Sequence, residues 1–184
     1  RNQAQINEGR MYVDYSPELI EEYRLGMKKD PYMYPQNNWL DIMYNDAFVM
    51  DHNLRFSGGD EKYNYSLSLG YVNQDGVLRG TDAEKYTIGM NTSAQMNSRL
   101  KIGANLHAQY QIYNEPVAGV RNLVEMTYKA QAFHPTYLED GRYANTFIRT
   151  PGHNIYRHPL ALADEGKNEH TSLRLLANLS AEYK

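Results

Sequence analysis

The sequence contains no cysteine, and this absence removes several kinds of chemistry. Without thiols there is no disulfide framework, no thiolate metal ligand and no cysteine nucleophile. An excess of positive charge is missing as well, because 19 Lys and Arg face 22 Asp and Glu and the pI is near 6.1. Nucleic-acid binding rests on clustered basic side chains, so we expect no nucleic-acid partner.

Long apolar runs are also missing, and none approaches the roughly 18 residues that a membrane helix needs. The mean hydropathy of -0.73 would by itself suggest a water-soluble protein. A membrane strand, however, meets lipid only at every second residue, so its mean hydropathy stays low. Aromatic residues are biased toward rings with a polar tip, which suit interfaces: 17 Tyr stand against 4 Phe and 1 Trp.

The N-terminal sequence has neither an initiator Met nor the apolar run of a signal peptide, so we expect a piece of a longer polypeptide. Ser16-Pro17-Glu18 predicts a helix start, and Gly26 is its expected end. The residues from Asp30 to Pro35 predict a rigid extended piece. Asn38-Trp39-Leu40-Asp41 predicts one more helical turn, in which Trp39 either packs its own loop, the favoured interpretation, or offers a ligand platform.

From Phe48 onward the side chains alternate between apolar and polar with a period of two, which predicts strands. In the clearest stretch, Lys62 to Asn73, tyrosines and leucines share one face while Asn, Ser and Gly occupy the other. The predicted strands cover residues 48–57, 62–73, 86–96, 100–112 and 172–183. Tight turns are predicted at 58–61 and 97–99, and long loops at 74–84 and 114–170. The second long loop carries a helical stripe between Pro116 and Phe133.

Strands of this length, joined alternately by tight turns and long loops, are typical of outer-membrane barrels. We therefore predict an all-β segment of a large antiparallel transmembrane β-barrel, with about five strands and long extracellular loops that contain short helices. Residues 1–46 are assigned to an extracellular loop region with short helices, 47–113 to four barrel strands in two hairpins, 114–170 to a long extracellular loop with one helix, and 171–184 to a fifth strand. Five strands do not close a barrel, since the smallest single-chain barrels use about eight, so the chain is a segment of a larger barrel or one chain of an oligomeric barrel. We assign the whole segment to one larger barrel domain.

A resemblance to a known family lies in Leu54-Arg55-Phe56-Ser57-Gly58-Gly59 and in the later Ser-Leu-Gly-Tyr-Val-Asn-Gln-Asp-Gly that ends at Gly76. Supporting matches are Tyr34-Pro35 with Trp39-Leu40, Leu100-Lys101-Ile102-Gly103, Pro159-Leu160-Ala161-Leu162, and Leu176-Ala177-Asn178 with Glu182-Tyr183. Together these motifs resemble the first part of the barrel in SusC/RagA-type TonB-dependent transporters of Bacteroidetes. The resemblance implies a plugged outer-membrane barrel that is energised through the TonB complex, by a segment outside this chain. It also implies a SusD-like surface lipoprotein that helps to capture oligosaccharides or peptides.

No catalytic constellation stands out, and we expect neither an enzyme nor a bound cofactor. Glu139-Asp140-Gly141 predicts a turn rather than a pair of catalytic carboxylates. The histidines lack zinc spacing, and a metal shared by His153 and His158 would require an accident of folding.

Candidate substrate-binding residues lie on the predicted lumen face or in the outer loops. The aromatic loop candidates serve either substrate or the lipoprotein lid, and the lumen candidates either touch substrate or only solvate the wall and hold the plug. The candidates are Trp39, Tyr32, Tyr34, Arg55, Asn105, His107, Tyr137 and Tyr143.

The predicted function is thus a part of an active importer in the outer membrane, with the lipid bilayer, the lipoprotein, the TonB complex and a glycan or peptide as partners. Two other functions remain open. One is a passive, porin-like or structural outer-membrane barrel, and the other is a soluble glycan-binding β-domain.

Overall fold

The computed structural model describes residues 16–144 and 157–184, and its largest feature is a five-stranded antiparallel sheet. The strands are β1 (Val49–Gly59), β2 (Tyr63–Asp75), β3 (Asp82–Gln95), β4 (Leu100–Pro116) and β5 (Lys167–Tyr183). Each strand pairs with its neighbour in sequence, so the order is β1-β2-β3-β4-β5. The predicted all-β class is confirmed, and a meander of long strands is what a segment of barrel wall requires.

The pairing register preserves the alternation of side chains across the whole sheet. Leu69 on β2 lies opposite both Leu54 on β1 and Ile88 on β3, which are apolar partners. In the same way Asn105 on β4 lies between Asn91 on β3 and Asn178 on β5. Because a slip of one residue would exchange the two faces of a strand, this register gives the sheet one apolar and one polar face, as predicted.

The two tight turns hold the strands in this register through local hydrogen bonds. The side chain of Asp60 accepts the N–H groups of Lys62 and Tyr63, and these bonds lower the pKa of its carboxyl group. Asn97 plays the same part between β3 and β4, where it accepts the N–H groups of Arg99 and Leu100. The prediction placed the first turn at 58–61, but both glycines belong to β1 and the turn begins at Asp60. Extended glycines continue the ladder without strain, which the sequence did not reveal.

The strands are longer than predicted at the end of the sheet from which the long connections leave. β3 begins at Asp82 rather than 86, β4 continues to Pro116 rather than 112, and β5 begins at Lys167 rather than 172. Here cross-strand polar contacts replace apolar alternation. The carboxylate of Asp82 accepts from Asn114 at 2.6 Å and from Lys167 at 2.9 Å. These contacts extend the ladder into segments whose sequence reads as loop.

Helix α1 (Pro17–Lys29) begins as predicted, with the Ser16 side chain accepting the N–H of Leu19 at 3.2 Å. The predicted end at Gly26 is wrong, because this glycine lies inside the helix. A Cβ there would lie 2.5 Å from the ring of Tyr34, so the glycine makes room for an aromatic side chain. The following segment, predicted to be extended, is a turn in which Asp30 accepts the N–H groups of Tyr32 and Met33 through its side chain.

Three shorter helices complete the described structure: α2 (Trp39–Met43), α3 (Val120–Lys129) and α4 (Pro159–Asp164). The first two confirm a predicted helical turn and a predicted stripe, whereas α4 was missed because it lies in the long loop 114–170, for which only one helix was predicted. Pro159 is the first residue of the helix, a position that favours proline. The ring of His158 precedes it and accepts the N–H of Ala161 at 3.4 Å. No helix among residues 16–144 and 157–184 is both long and apolar enough to cross a membrane.

The described residues form two compact units. The first comprises the chain up to Ile42 and from Val124 to Ala161, and it buries Trp39, Thr127, His134, Ala144, His158 and Leu160. The second contains the sheet, and it buries Met43, Leu78, Leu123 and Ala163. Most large apolar side chains of the sheet are exposed, so the sheet does not gain its stability from a conventional core.

Candidate functional site

The apolar face of the sheet carries tyrosines in rows near both ends. In one row the ring centre of Tyr86 lies 5.0 Å from that of Tyr71 and 6.4 Å from that of Tyr110, and His52 stacks on Tyr71 at 6.4 Å. Near the tight turns are Tyr63, Tyr65 and Tyr183. Tyrosines at both ends of an apolar strand face are typical of the two interfaces of a bilayer.

Between the tyrosine rows the face is aliphatic and open. The side chains there include Leu54, Phe56, Leu67, Leu69, Ile88, Met90, Leu106, Leu175 and Leu179. Leu179 is 83% exposed. Tyr63 and Tyr71 are eight positions apart on β2, roughly 26 Å along the strand, or roughly 20 Å of height at a tilt of about 40°. This approaches the apolar band of about 25 Å that a barrel presents to lipid.

The polar face is divided into two bands along the strands. Toward the tight turns, two complete rows across all five strands contain only Ser, Asn and Gly: Ser57, Ser66, Asn91, Asn105 and Asn178, then Gly59, Asn64, Ser93, Gly103 and Ser180. The band nearer the long connections carries charged side chains, including Asp51, Arg55, Lys85 and Arg174. A face of this composition suits a wetted wall rather than a dry core.

Three of the predicted site residues lie on this polar face, in neighbouring rows. Arg55 and His107 belong to one row and are separated by Ser68 and Gly89, while Asn105 lies in the next row toward the tight turns. His107 and Asn105 line a shallow hollow of about 380 Å³ over β3, β4 and β5. All three predicted side chains are exposed among the described residues.

Sequence reasoning missed one lining residue of this hollow. Leu176 lies opposite His107 on the polar face and is 58% exposed, although its neighbours on that face of β5 are Arg174 and Asn178. The available signal was the pair Leu175-Leu176, which breaks the alternation that holds through the rest of the strand. The hollow therefore combines amide and imidazole groups with one aliphatic side chain.

In the first unit, Trp39 is a core residue. It is 3% exposed, its Nε1 donates to the carbonyl oxygen of Gln131 at 2.9 Å, and its ring meets His158 edge-on at 5.1 Å. A buried indole with a satisfied N–H is typical of packing. The packing interpretation of Trp39 matches this environment, and its ring presents no open face to a ligand.

His158 lies at the centre of this core, and both of its ring nitrogens have partners. Nε2 lies 3.2 Å from the carbonyl oxygen of Pro135, and Nδ1 accepts the N–H of Ala161. Burial lowers the pKa of the imidazole. A neutral, doubly engaged imidazole has no free lone pair for a metal ion. His153, considered as its companion in a metal site, lies outside the described residues.

Tyr137 and Tyr143 form a pair across a small turn. Their ring centres are 5.3 Å apart, Tyr137 is 39% exposed, and Tyr143 also lies 5.6 Å from His158. The predicted turn between them is present, with Gly141 at φ +80° and Asp140 paired to Arg142, which lowers the pKa of the Asp140 carboxyl group. The turn thus presents one exposed aromatic ring that is supported by a second.

Tyr32 and Tyr34 lie in the turn that follows α1, and both are half-buried. The Tyr34 hydroxyl donates to Glu22 at 2.9 Å, and its ring meets Tyr23 edge-on at 5.1 Å. Tyr23 in turn donates to the carbonyl oxygen of Phe133, and burial raises its pKa to about 12. Tyr34 therefore packs against α1 through its ring and its hydroxyl. Of the two tyrosines, Tyr32 is the one with fewer contacts of this kind.

Comparison with curated proteins identifies relatives of one kind. The chain is 29% identical over 154 residues to TonB-dependent receptor P26 of Formosa agariphila, which covers 84% of this chain and 15% of that protein. It is 28% identical over 170 residues to TonB-dependent receptor P3 of the same organism, covering 88% of the chain and 17% of the relative. Identity to TonB-dependent receptor SusC of Bacteroides thetaiotaomicron is 20% over 167 residues, covering 80% and 16%.

No protein-family model matches the chain. The three relatives nevertheless agree in kind, and each match covers most of the chain while the chain spans only 15–17% of each relative. Their agreement fits the two-faced antiparallel sheet described above. Over most of its length the chain is therefore a homologue of TonB-dependent receptors, SusC among them, at modest identity.

Proposed function

We propose that this chain is part of the barrel wall of an outer-membrane active transporter. The observation that supports this most strongly is the sheet itself, whose five strands keep an apolar face bordered by tyrosines and a polar face without a slip in register. A soluble domain would leave that apolar face in water, where patches of this size are rare. In lipid, the same face supplies the outer surface of the wall.

The outer edges of β1 and β5 support the same proposal. Within residues 16–144 and 157–184 neither edge pairs with a further strand, so each presents free backbone N–H and C=O groups. In a bilayer every such group costs several kcal/mol unless it is paired. The wall is therefore completed by further strands of the full-length protein, in agreement with the greater length of the relatives.

Transport then assigns a role to each surface. The apolar face holds the wall in the outer membrane, and the polar face lines the passage through which an oligosaccharide or a peptide enters. The exposed ring of Tyr137 and the half-buried Tyr32 and Tyr143 contact either the incoming substrate or a SusD-like lipoprotein that captures it. No bond is made or broken, and energy comes from the TonB complex through parts of the protein outside this chain.

The decisive experiment uses the full-length protein in its own cells. We expect it in the outer membrane fraction, with uptake of its substrate that stops when TonB is deleted. A passive porin would reach the same membrane but would continue uptake without TonB. Recovery of a soluble protein that needs no detergent would contradict the proposal and favour a glycan-binding β-domain.

The lipoprotein partner is tested separately, by purification of the full-length protein in mild detergent. A SusD-like lipoprotein should co-purify in near-equal amount and should be released when the tyrosines of the outer loops are replaced. Tyr137→Ala is the first choice, because the ring of Tyr137 is exposed whereas that of Tyr143 contacts the buried His158. Recovery of the transporter alone from native membranes would contradict this part of the proposal.

A further inference from the structure

The charged side chains on the polar face of the strands are not balanced. Two of the anions have ionic or imidazole partners among the described residues: Glu182 lies 3.4 Å from the ammonium of Lys184, and Glu115 lies 3.1 Å from the ring of His170. Of the remaining charges of the face, Lys101 lies near the tight turns, and the others lie in the band nearer the long connections. They are the cations Arg55, Lys85 and Arg174 and the single anion Asp51, whose carboxylate accepts from the side chain of Asn53.

Arg55 and Arg174 have no ion-pair partner among the described residues, and both are exposed. The pairing register places their backbone positions four strands and one row apart, roughly 20 Å. Lys85 lies on β3 between them, roughly 16 Å from the first arginine and roughly 12 Å from the second. Three long cationic side chains thus surround one area of the wall, which we call the cationic patch.

The floor of the cationic patch is kept low by small side chains. Gly70 and Gly89 lie within it beside Ser68, and a Cβ would meet Thr87 Oγ1 at 2.3 Å from Gly70 and Ser68 Oγ at 2.5 Å from Gly89. Glycine inside a strand often marks the close approach of a ligand or of another backbone. The hollow beside His107 continues this floor toward β5.

From this arrangement we propose that the cationic patch, Arg55, Lys85 and Arg174 around the floor of Ser68, Gly70 and Gly89, binds an extended oligomer that carries several carboxylate or sulfate groups. Guanidinium groups bind such anions through paired hydrogen bonds, and the spacing of the three cations suits an anionic chain rather than a single small ion. This inference rests on the proposed transport function and specifies the charge class of its substrate.

The test measures binding to the full-length protein in detergent by calorimetry. The probes are three short polyanions, namely hexagalacturonate, a sulfated dextran oligomer and hexaglutamate, with maltohexaose as the neutral oligomer. We expect at least one polyanion to bind more tightly than maltohexaose, and its affinity to fall as salt is raised from 50 to 300 mM. R55Q and R174Q should each weaken that binding by about three- to tenfold.

K101Q is the matched control, because Lys101 is a cation on the same face but lies near the tight turns, outside the cationic patch, and it should leave binding within about twofold. Failure of all three polyanions to bind would overturn the inference. It would also be overturned if R55Q and R174Q lowered the melting temperature of the full-length protein and left polyanion affinity unchanged. In that case the patch holds an acidic segment of the protein itself. TonB-dependent uptake of a neutral oligomer would support the transport proposal and contradict this inference about charge.

Discussion

Asn105 and Leu106 are adjacent in sequence and lie on opposite faces of the same sheet. Asn105 is flanked by Asn91 and Asn178, whereas Leu106 is flanked by Met90 and Ala177. These two neighbours on β4 therefore have opposite surroundings: Asn105 lies on the polar face, and Leu106 lies on the face that is proposed to contact lipid. This relationship gives a test in which the two variants differ by one position.

In the full-length protein, Leu106→Asp should strongly reduce the amount recovered in the outer membrane. It places a carboxylate near the middle of the apolar band and removes a leucine, at a cost of about 2 kcal/mol or more. Asn105→Asp introduces the same side chain on the polar face and should insert normally. Quantitative blotting of outer membrane fractions measures both. Equal tolerance of the two variants would reverse the assignment of the faces.

The ion pair between Arg79 and Asp164 joins the β2–β3 connection to the end of α4. Its two contacts, 2.9 Å from Nε and 3.1 Å from Nη2, form a fork that only arginine provides. We expect Asp164→Asn to destabilise this contact by about 1 kcal/mol and to increase protease cleavage near residue 164. Arg79→Lys should show most of the same effect, since it keeps the charge but loses the fork. Glu165→Gln, beside the pair, serves as the control and should leave cleavage unchanged.

Gly26→Ala should destabilise α1, although alanine is usually favoured over glycine within a helix by about 1 kcal/mol. The reason is the ring of Tyr34, which a Cβ at position 26 would meet at 2.5 Å. In a Tyr34→Ala background the same substitution should become neutral or stabilising. Hydrogen exchange of the α1 amides in the full-length protein measures both effects. Additive effects of the two substitutions would show that the ring does not set the preference for glycine.

His158 should make the first unit sensitive to acid. Burial lowers the pKa of the folded imidazole below its ordinary value of 6.5, so the unfolded chain takes up a proton at higher pH than the folded chain does. The stabilising contribution is complete above about pH 6.5 and declines as the pH falls toward the lowered value. Protection factors of the amides around 134–144, which are exchange rates corrected for the intrinsic rate at each pH, should therefore fall between pH 6.5 and 5.

Substitution by glutamine at position 158 should remove that pH dependence, although it lowers stability at neutral pH as well. His107→Gln is the comparison, since that imidazole is exposed on the polar face of the sheet. It should leave the exchange profile of residues 134–144 unaltered. If protection of residues 134–144 still depends on pH in the His158 variant, the acid sensitivity belongs to another group.

The sequence was sufficient to predict the two faces of the sheet, because a period of two in side-chain polarity has one structural meaning over ten or more residues. It was not sufficient for the strand ends. There the ladder is continued by polar contacts between residues far apart in sequence, such as Asp82 with Lys167. The alternation of apolar and polar residues does not reveal such contacts. The predicted strands therefore ended too early and the predicted loops were too long.

The candidate site was predictable to the same degree. Arg55, Asn105 and His107 were placed on one face from alternation alone, and the structure shows them in neighbouring rows. The surroundings of the loop aromatics depend on packing between distant segments, and no local pattern distinguishes the buried Trp39 from the exposed Tyr137. Leu176 was overlooked because one apolar side chain on an otherwise polar face does not change the period of two that predicts the strand.

The meander order also sets the order in which the wall can assemble. β3 and β4 are joined by residues 96–99, whereas β4 and β5 are joined by residues 117–166. The entropy of loop closure grows with the logarithm of loop length, so the second closure costs about 2 kcal/mol more than the first. We therefore expect β5 to pair after β3 and β4, with the first four strands as the template on which it is added.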